Sequence, residues 1–151
     1  MQIYCSYNCR GLTNSLKRQY VKDLLLKCDI LYIQEHWLSD TQLSELNTLS
    51  NSHFATAVSG FDNNNVLQGR TFGGCAIFWN RKISANVNVL STGSRRTCAV
   101  RICDKNNYNL LLINVYCPFE LDDVKFDEFC NLLSIVSNII ELNADCHCIV
   151  G

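Results

Sequence analysis

A short apolar run near the N-terminus most constrains how this chain can fold. Residues 30–33 (Ile-Leu-Tyr-Ile) are large, rich in β-forming side chains and followed closely by Glu35. Such a run is typical of a buried strand. An earlier candidate strand, residues 2–8, ends at Asn8, and a helix-forming segment separates the two strands. This order predicts a β-α-β unit, whose right-handed crossover places its two strands in parallel.

The predicted unit brings two polar residues to one edge of a sheet. Thr13 or Asn14 can cap a helix that runs to about Lys27, so the second strand returns in the direction of the first. Asn8 and Glu35 then end neighbouring strands at the same edge, where binding and catalytic groups are commonly mounted. A single glutamate at a strand end is as often a solvated surface residue. The pairing with Asn8 is therefore what suggests a functional site.

The length and pattern of the chain predict a single domain, residues 1–151. Ser39 or Asp40 starts a short second helix, and residues 60–69 form a polar loop bounded by glycines. Four strand candidates follow with spacings typical of hairpins. They are Gly74–Trp79, Ile83–Leu90, Thr97–Cys103 and Tyr108–Tyr116. Asp122 begins a long amphipathic helix that ends near Leu142.

The charge is distributed unevenly although the net charge is only −1. Residues 70–105 contain seven basic side chains and one acidic one, whereas residues 106–151 contain one basic and seven acidic. This pattern predicts a basic block that faces a polyanion and an acidic helix that faces away. Arg70, Arg95 and Arg96 are the candidates for phosphate contacts. The alternative is that both segments are ordinary solvated surfaces.

Ten cysteines do not indicate a disulfide framework in this chain. No secretory signal precedes them, and most lie inside strand-like runs, where a thiol behaves as a small apolar group. No Cys-x-x-Cys pair is present, which disfavours structural zinc. We therefore expect reduced thiols and a cytoplasmic or nuclear location, not secretion. No apolar run approaches the ~18–20 residues that span a bilayer, so no membrane partner is expected.

Four segments, in this order and at these separations, resemble the endonuclease/exonuclease/phosphatase superfamily. The closest resemblance is to the apurinic-like endonuclease domain of non-LTR (LINE-type) retrotransposons. The segments are Tyr7-Asn-Cys-Arg-Gly-Leu12, Leu31-Tyr-Ile-Gln-Glu35, Phe72-Gly-Gly-Cys-Ala-Ile-Phe78 and Leu112-Ile-Asn-Val-Tyr-Cys-Pro118. The resemblance covers nearly the whole chain but only about the first two-thirds of the family domain.

The resemblance implies a four-layer α/β sandwich, in which two packed β-sheets are flanked by helices, truncated at its C-terminus. It places the site at one edge between the sheets. Glu35 would bind Mg²⁺, Asn8 would hydrogen-bond a metal-bound water or a phosphate, and Tyr116 would direct its hydroxyl at the scissile phosphate. The implied partner is the phosphate backbone of DNA. Mg²⁺ keeps several of its waters, so one carboxylate can serve as its protein anchor.

Two later motifs of the family are not found in this sequence. The family continues after its buried strand with G-D-x-N, whose Asp orients or activates the water, and later carries an S-D-H segment. This chain ends at Gly151, the first residue of the former motif, and neither His36 nor His147 fits the role of the missing histidine. Phe119 stands where retrotransposon members often have Asn. We therefore expect a fragment that is inactive by itself and either poorly soluble or not uniquely packed.

The sequence supports three functions to different degrees. The leading interpretation is the N-terminal portion of a Mg²⁺-dependent phosphodiesterase that nicks DNA. The alternatives are a phosphoinositide or sphingolipid phosphoesterase of the same fold, and a non-catalytic remnant. Individual residues have simpler interpretations too: Tyr116 as an ordinary strand aromatic, and Gly73-Gly74 as a close strand contact or bulge.

Overall fold

The computed structural model describes residues 2–60, 73–83, 86–103, 109–118 and 123–151. The polar loop and the turn predicted at residues 104–107 lie almost entirely outside this part of the chain. The elements, in chain order, are β1 (Tyr4–Asn8), α1 (Ser15–Leu25), β2 (Ile30–Gln34), a 3₁₀ helix (Asp40–Thr48), β3 (His53–Val58), β4 (Cys75–Asn80), β5 (Asn86–Leu90), β6 (Thr97–Cys103), β7 (Asn109–Val115), α2 (Asp123–Glu141) and β8 (His147–Val150).

The eight described strands form two four-stranded mixed sheets. The first has the strand order β1-β2-β4-β3 and the second β5-β6-β7-β8. β1 and β2 are adjacent and parallel, with Tyr4 opposite Ile30 and Asn8 opposite Gln34. The predicted β-α-β unit is thus confirmed, and Asn14 caps α1 by accepting the Leu16 N–H at 2.8 Å. A second parallel pair joins β7 to β8 through α2.

Two predictions about the strands need correction. The hairpin spacing holds for β5, β6 and β7, but β4 does not pair with β5, because β4 lies between β2 and β3 in the first sheet. Residues 53–59 were not predicted as a strand, yet His53–Val58 pairs with β4 along its whole length. The short second helix is present as predicted, with Ser39 as its N-cap, and it is a 3₁₀ helix.

Three apolar clusters hold four layers together, as the resemblance implied. The alternation of β2 shows how they divide: Leu31 and Ile33 face α1 and the 3₁₀ helix, while Ile30 and Tyr32 face the second sheet. Leu111 and Ile113 lie on the other face of the second sheet, where they pack against α2. All six of these residues are at most 2% exposed, and such burial stabilises by about 1.5–3 kcal/mol for each large side chain. The layers therefore fix the edge at which β1, β2 and β7 end.

Neither α-helix in the described part of the chain is long and apolar enough to cross a membrane.

Candidate active site

The loops after β1 and β2 stay paired beyond the ends of their strands. The Gly11 N–H donates to the Glu35 carbonyl at 2.7 Å, and the Leu12 N–H donates to the His36 carbonyl at 3.0 Å. Arg10, Glu35 and Trp37 all have positive φ, at 45°, 57° and 58°. Such values are uncommon outside glycine and cluster at functional sites, where the surrounding structure holds them. These two loops form the strained part of the edge.

Glu35 is fixed from the other side by the start of β4. Its N–H donates to the Gly74 carbonyl at 2.8 Å, and the Trp37 N–H donates to the Gly73 carbonyl at 3.1 Å. A Cβ on Gly74 would stand only 2.4 Å from Cε1 of the His36 ring. Gly74 itself has φ 83°, so both its conformation and its surroundings require glycine. The backbones of the two strands are thus in the close contact that one of the simpler interpretations of Gly73-Gly74 expects.

His36 is a neutral, fully buried support for this turn. Its Nδ1 accepts the Leu38 N–H at 3.0 Å, and its Nε2 lies 3.0 Å from the Val58 carbonyl. The carbonyl can only accept, so the ring proton resides on Nε2. Burial lowers the pKa of His36 to about 4. His36 therefore orients the backbone beside Glu35 without adding a charge to the site.

Asn8 and Glu35 make the contact that the sequence predicts. Asn8 Nδ2 donates to Glu35 Oε1 at 2.8 Å, across two adjacent parallel strands. The Asn8 amide oxygen accepts the Arg10 N–H at 3.3 Å, which orients the amide so that its NH₂ group faces the carboxylate. Asn8 is exposed and Glu35 is half-buried, so the remaining lone pairs of the carboxylate are accessible from solvent.

Tyr116 reaches Glu35 from the second sheet. Its hydroxyl interacts with the Glu35 carboxylate, and its backbone N–H donates to the Arg96 carbonyl at 2.8 Å. Burial and then the negative charge and hydrogen bond of Glu35 raise the pKa of Tyr116, while the positive charges of Arg96 and Arg10 act in the opposite direction. Asn8, Glu35 and Tyr116 are thus together, and Arg10 joins them although the sequence analysis did not single it out.

Arg96 lies against Tyr116 and is held in place by an acidic residue. Its guanidinium is 5.4 Å from the centre of the Tyr116 ring. Its Nε donates to Glu128 Oε1 at 2.7 Å, and a second N–H donates to the other carboxylate oxygen at 3.3 Å. Arg95 is exposed and pairs with Asp40 at 3.5 Å. Arg70 lies outside the described residues.

Ion pairs join the acidic segment to the basic block, which the sequence analysis did not predict. Glu128 of α2 binds Arg96, and Asp145, beyond α2, binds Arg101 at 2.6 Å. The fold thus brings the basic segment (residues 70–105) and the acidic segment (residues 106–151) into contact, and their opposite charges form ion pairs. The loop that carries Arg95 and Arg96 borders a cavity of about 410 Å³ lined also by Gly60, Gly93 and Glu128.

The donor set fits a magnesium ion that keeps most of its water. No three His, Cys, Asp or Glu side chains of the described residues converge on one point, so a closed cage of the zinc or calcium type is not built there. At the edge itself the accessible hard donors are the Glu35 carboxylate oxygens, oriented by Asn8. One or two carboxylates normally suffice for Mg²⁺, which completes its octahedron with water and phosphate oxygens.

Two buried residues beneath the site escaped the sequence analysis. Asn114 is 0% exposed and Gln34 is 8% exposed, and their side chains hydrogen-bond to each other at 2.7 Å between the two sheets. A polar residue inside an apolar strand, as in Leu112-Ile-Asn-Val, was the available signal. Its partner, 80 positions away, could not be read from the sequence.

A sequence model described as the Endonuclease/Exonuclease/phosphatase family matches residues 5–138. Comparison with curated protein sequences gives no significant match. Among solved structures, the chain is similar to a 3′ phosphatase, NExo from Neisseria, bound to a product DNA hairpin, with a TM-score of 0.66 and 18% identity. That similarity covers 99% of this chain and 56% of the other.

Two further structures show how widely this fold is used. The mannosyl-6-phosphatase Bt3783 of Bacteroides thetaiotaomicron has a TM-score of 0.64 and 16% identity, covering 99% of this chain and 64% of that one. The endonuclease domain of TRAS1, a telomere-specific non-LTR retrotransposon, has a TM-score of 0.62 and 12% identity, covering 97% and 57%. At these identities the likeness concerns the fold. The chain spans little more than half of the NExo chain and of the TRAS1 domain.

Proposed function

Because the chain belongs to the endonuclease/exonuclease/phosphatase family, we propose that it is the N-terminal portion of a Mg²⁺-dependent phosphodiesterase that nicks DNA. Within that family we favour the retrotransposon-type endonucleases. The observation that carries the proposal is the meeting of Asn8, Glu35 and Tyr116, from two different sheets, at one strained edge. A carboxylate, an amide and a phenol in contact there form a site that can bind both a metal ion and a phosphate.

Each of the three side chains has a role that its contacts support. Glu35 would hold Mg²⁺, which when bound screens the charge that develops on the phosphate and the leaving oxygen. Asn8 keeps the carboxylate in one orientation. The pKa of an ordinary tyrosine is already above neutral pH and that of Tyr116 is raised further, so its one O–H stays protonated and would donate to a phosphate oxygen in place of Glu35. Arg96 and Arg10 bring positive charge to the same edge.

The end of β8 supports a place for the water-orienting aspartate of the family. The Gly151 N–H donates to the Ile113 carbonyl at 2.8 Å, and the Val115 N–H donates to the Gly151 carbonyl at 3.0 Å. A Cβ on Gly151 would lie 2.6 Å from the ring of Tyr32, so this position suits the glycine of G-D-x-N. Residues following Gly151 in a longer chain would emerge beside Tyr116, at the proposed site.

DNA is the favoured substrate over a lipid phosphate. Positive side chains flank Tyr116, as a phosphate backbone requires. The 3′ phosphatase named above is bound to a product DNA hairpin, and the TRAS1 domain is the endonuclease of a telomere-specific retrotransposon. The Bacteroides phosphatase shows that the fold also serves other phosphate esters. A phosphoinositide or sphingolipid phosphoesterase and a non-catalytic remnant remain the alternatives.

The test is nicking of supercoiled plasmid by a longer chain that contains G-D-x-N and S-D-H after Gly151. Glu35→Gln should lower the Mg²⁺-dependent rate by at least roughly 10²-fold, because the change keeps the shape and removes the anionic ligand. Asn8→Ala should lower it less, and Tyr116→Phe should mainly lower turnover. Glu45→Gln is the matched control, since Glu45 pairs with Arg18 on the surface of the 3₁₀ helix.

The 151-residue chain provides the second arm of this experiment. It should show no measurable nicking, because general-base contributions alone are on the order of 10²–10⁴ in rate. Nicking by this chain that disappears in Glu35→Gln would show that the later motifs are dispensable. A longer Glu35→Gln variant that cuts at the wild-type rate would refute the metal assignment. Hydrolysis of phosphoinositide or sphingomyelin vesicles with DNA left intact would support the lipid alternative.

A further inference from the structure

A single polar side chain joins the two sheets through their apolar interface. Asn114 on β7 is completely buried, and both N–H groups and the oxygen of its amide bond to the first sheet. Its Nδ2 donates to the Ile33 carbonyl at 2.8 Å and to the Ala76 carbonyl at 2.7 Å. Its oxygen accepts the Gln34 Nε2–H at 2.7 Å. We call Asn114, Gln34 and these two carbonyls the intersheet bridge.

The bridge connects four strands. Ile33 and Ala76 face each other in the register of β2 and β4, so one Asn114 amide holds both strands at the same level. Gln34 Nε2 also donates to the Ser6 hydroxyl at 3.1 Å, which adds β1. The second sheet is therefore tied at Asn114 to three adjacent strands of the first.

The bridge differs in kind from its surroundings. The inward positions before it on β7, Leu110 and Leu112, pack against apolar side chains of the first sheet. Apolar contact is non-directional and leaves two sheets free to adopt several offsets. A fully satisfied buried hydrogen-bond network allows only one arrangement. The offset between the sheets is thus set where Asn114 stands, at one end of their interface.

That end is the proposed site. Gln34 immediately precedes Glu35, and Asn114 lies two residues before Tyr116. The Tyr116 ring lies beside Gly73, whose carbonyl accepts the Trp37 N–H, so Glu35 and Tyr116 face each other from opposite sheets. A change in the offset of the sheets therefore changes the distance between them. We propose that Asn114 is a positioning residue, which through Gln34 sets the distance between the Glu35 carboxylate and the Tyr116 hydroxyl. The inference rests on the proposed function and adds a residue that touches neither metal nor phosphate.

The experiment uses the 151-residue chain with tyrosine labelled at Cζ by ¹³C. The chemical shift of that carbon reports hydrogen bonding by the phenol, and Tyr116→Phe assigns the signal. Asn114→Leu should move the Tyr116 signal at neutral pH in the direction seen for Glu35→Gln. It should also weaken binding of Mn²⁺, used as the probe for Mg²⁺, by tenfold or more, as is typical when support of a metal ligand is lost.

Leu110→Ala is the matched control. Leu110 lies on the same strand and in the same interface as Asn114, but near the other end of both, and it is 3% exposed. The resulting cavity should lower the Tm while leaving the Tyr116 signal and the Mn²⁺ affinity unchanged. A purely structural role for Asn114 predicts that the two variants behave alike, and that result would overturn the proposal.

Gln34→Met provides a milder variant if Asn114→Leu does not fold. It keeps the two bonds from Asn114 to the carbonyls and removes the third, so a smaller shift in the same direction is expected. An unmoved Tyr116 signal in the folded variant would refute the bridge. Absence of Mn²⁺ binding by the wild-type chain would instead count against the proposed metal site, while the tyrosine signals still decide the role of Asn114.

Discussion

The two ends of β7 carry polar clusters of similar composition and very different construction. At its start, Arg101 donates to Asp145 at 2.6 Å and to Asn143 at 3.2 Å, and Asn109 donates to Asp145 at 2.8 Å. We call these four residues the Arg101 cluster. At the other end, Tyr116 and its cation Arg96 face the Glu35 edge, which comprises Asn8, Glu35, His36 and Trp37.

The difference between them is in the backbone. Among described residues other than glycine, positive φ occurs at Arg10, Glu35 and Trp37, all in the loops of the Glu35 edge. No member of the Arg101 cluster has it. The Arg101 cluster pairs charges within one sheet and its adjoining loop, whereas the Glu35 edge joins two sheets. Charge pairing alone therefore does not mark a site here; strained backbone and convergence from separate sheets do.

The largest expected effect is on the glycine that the strained edge requires. Gly74→Ala should lower the free energy of unfolding by roughly 2–5 kcal/mol, because it combines overpacking against His36 with the cost of positive φ. Gly93→Ala is the control: φ is 65° there, but nothing lies within 4 Å of the added Cβ, so about 1–2 kcal/mol is expected. Urea unfolding of both variants measures the difference. Equal losses would mean that the contact with His36 carries no energy.

The second effect is a pH dependence of stability that originates at the Glu35 edge. Folded protein keeps His36 neutral until the pH falls to about 4, while the unfolded chain protonates near pH 6.5. Between these values the unfolded state binds more protons, so the free energy of unfolding decreases as the pH falls. From pH 7.5 to 4.5 the loss should be roughly 2–3 kcal/mol.

Urea unfolding at several pH values measures this loss, with His36→Gln as the reference. The variant should retain only the smaller dependence from other groups, among them His53, whose pKa burial also lowers. A wild-type slope in His36→Gln would assign the pH dependence elsewhere. A flat profile in the wild-type chain would mean that His36 titrates normally.

The smallest expected effect separates the arginines at the two ends of β7. In the longer nuclease, replacing Arg95 and Arg96 with Ala should reduce the slope of log K for DNA against log[salt] by about 1–2, one for each lost phosphate contact. Arg101→Gln should leave that slope unchanged, because Arg101 is committed to Asp145 far from Tyr116. Filter binding at roughly 50 to 200 mM salt measures the slope for each variant. An unchanged slope in the double variant would place Arg95 and Arg96 off the DNA path.

The sequence was sufficient where structure is local. The β-α-β unit followed from strand and helix patterns within 35 residues, and it placed Asn8 beside Glu35 correctly. It failed where partners are distant. The strand His53–Val58 has only weak apolar alternation and is stabilised by pairing with β4, some 20 residues later in the chain. That β4 and β5 belong to different sheets depends on which edge each strand meets, which no local pattern encodes.

The candidate site divides in the same way. Asn8, Glu35 and Tyr116 were predicted from residue type and family resemblance, and the structure brings them together. The contact between Glu128 and Arg96 was not predicted, since it depends on how α2 packs on the second sheet. The role of a polar strand residue such as Asn114 could not be predicted, because its hydrogen-bond partners lie on the other sheet.

The sequence separation between the residues of the intersheet bridge also affects the order in which parts of the molecule fold. The contact of Asn8 with Glu35 spans 27 positions, whereas the bonds of Asn114 to Gln34 and Ile33 span 80 and 81. Closing the longer loops costs more chain entropy, and such distant pairings form late. On the ribosome, β1, α1 and β2 can pair before β7 is synthesised. The metal-binding half of the edge would then exist first, and the phosphate-binding half would be added when the sheets dock.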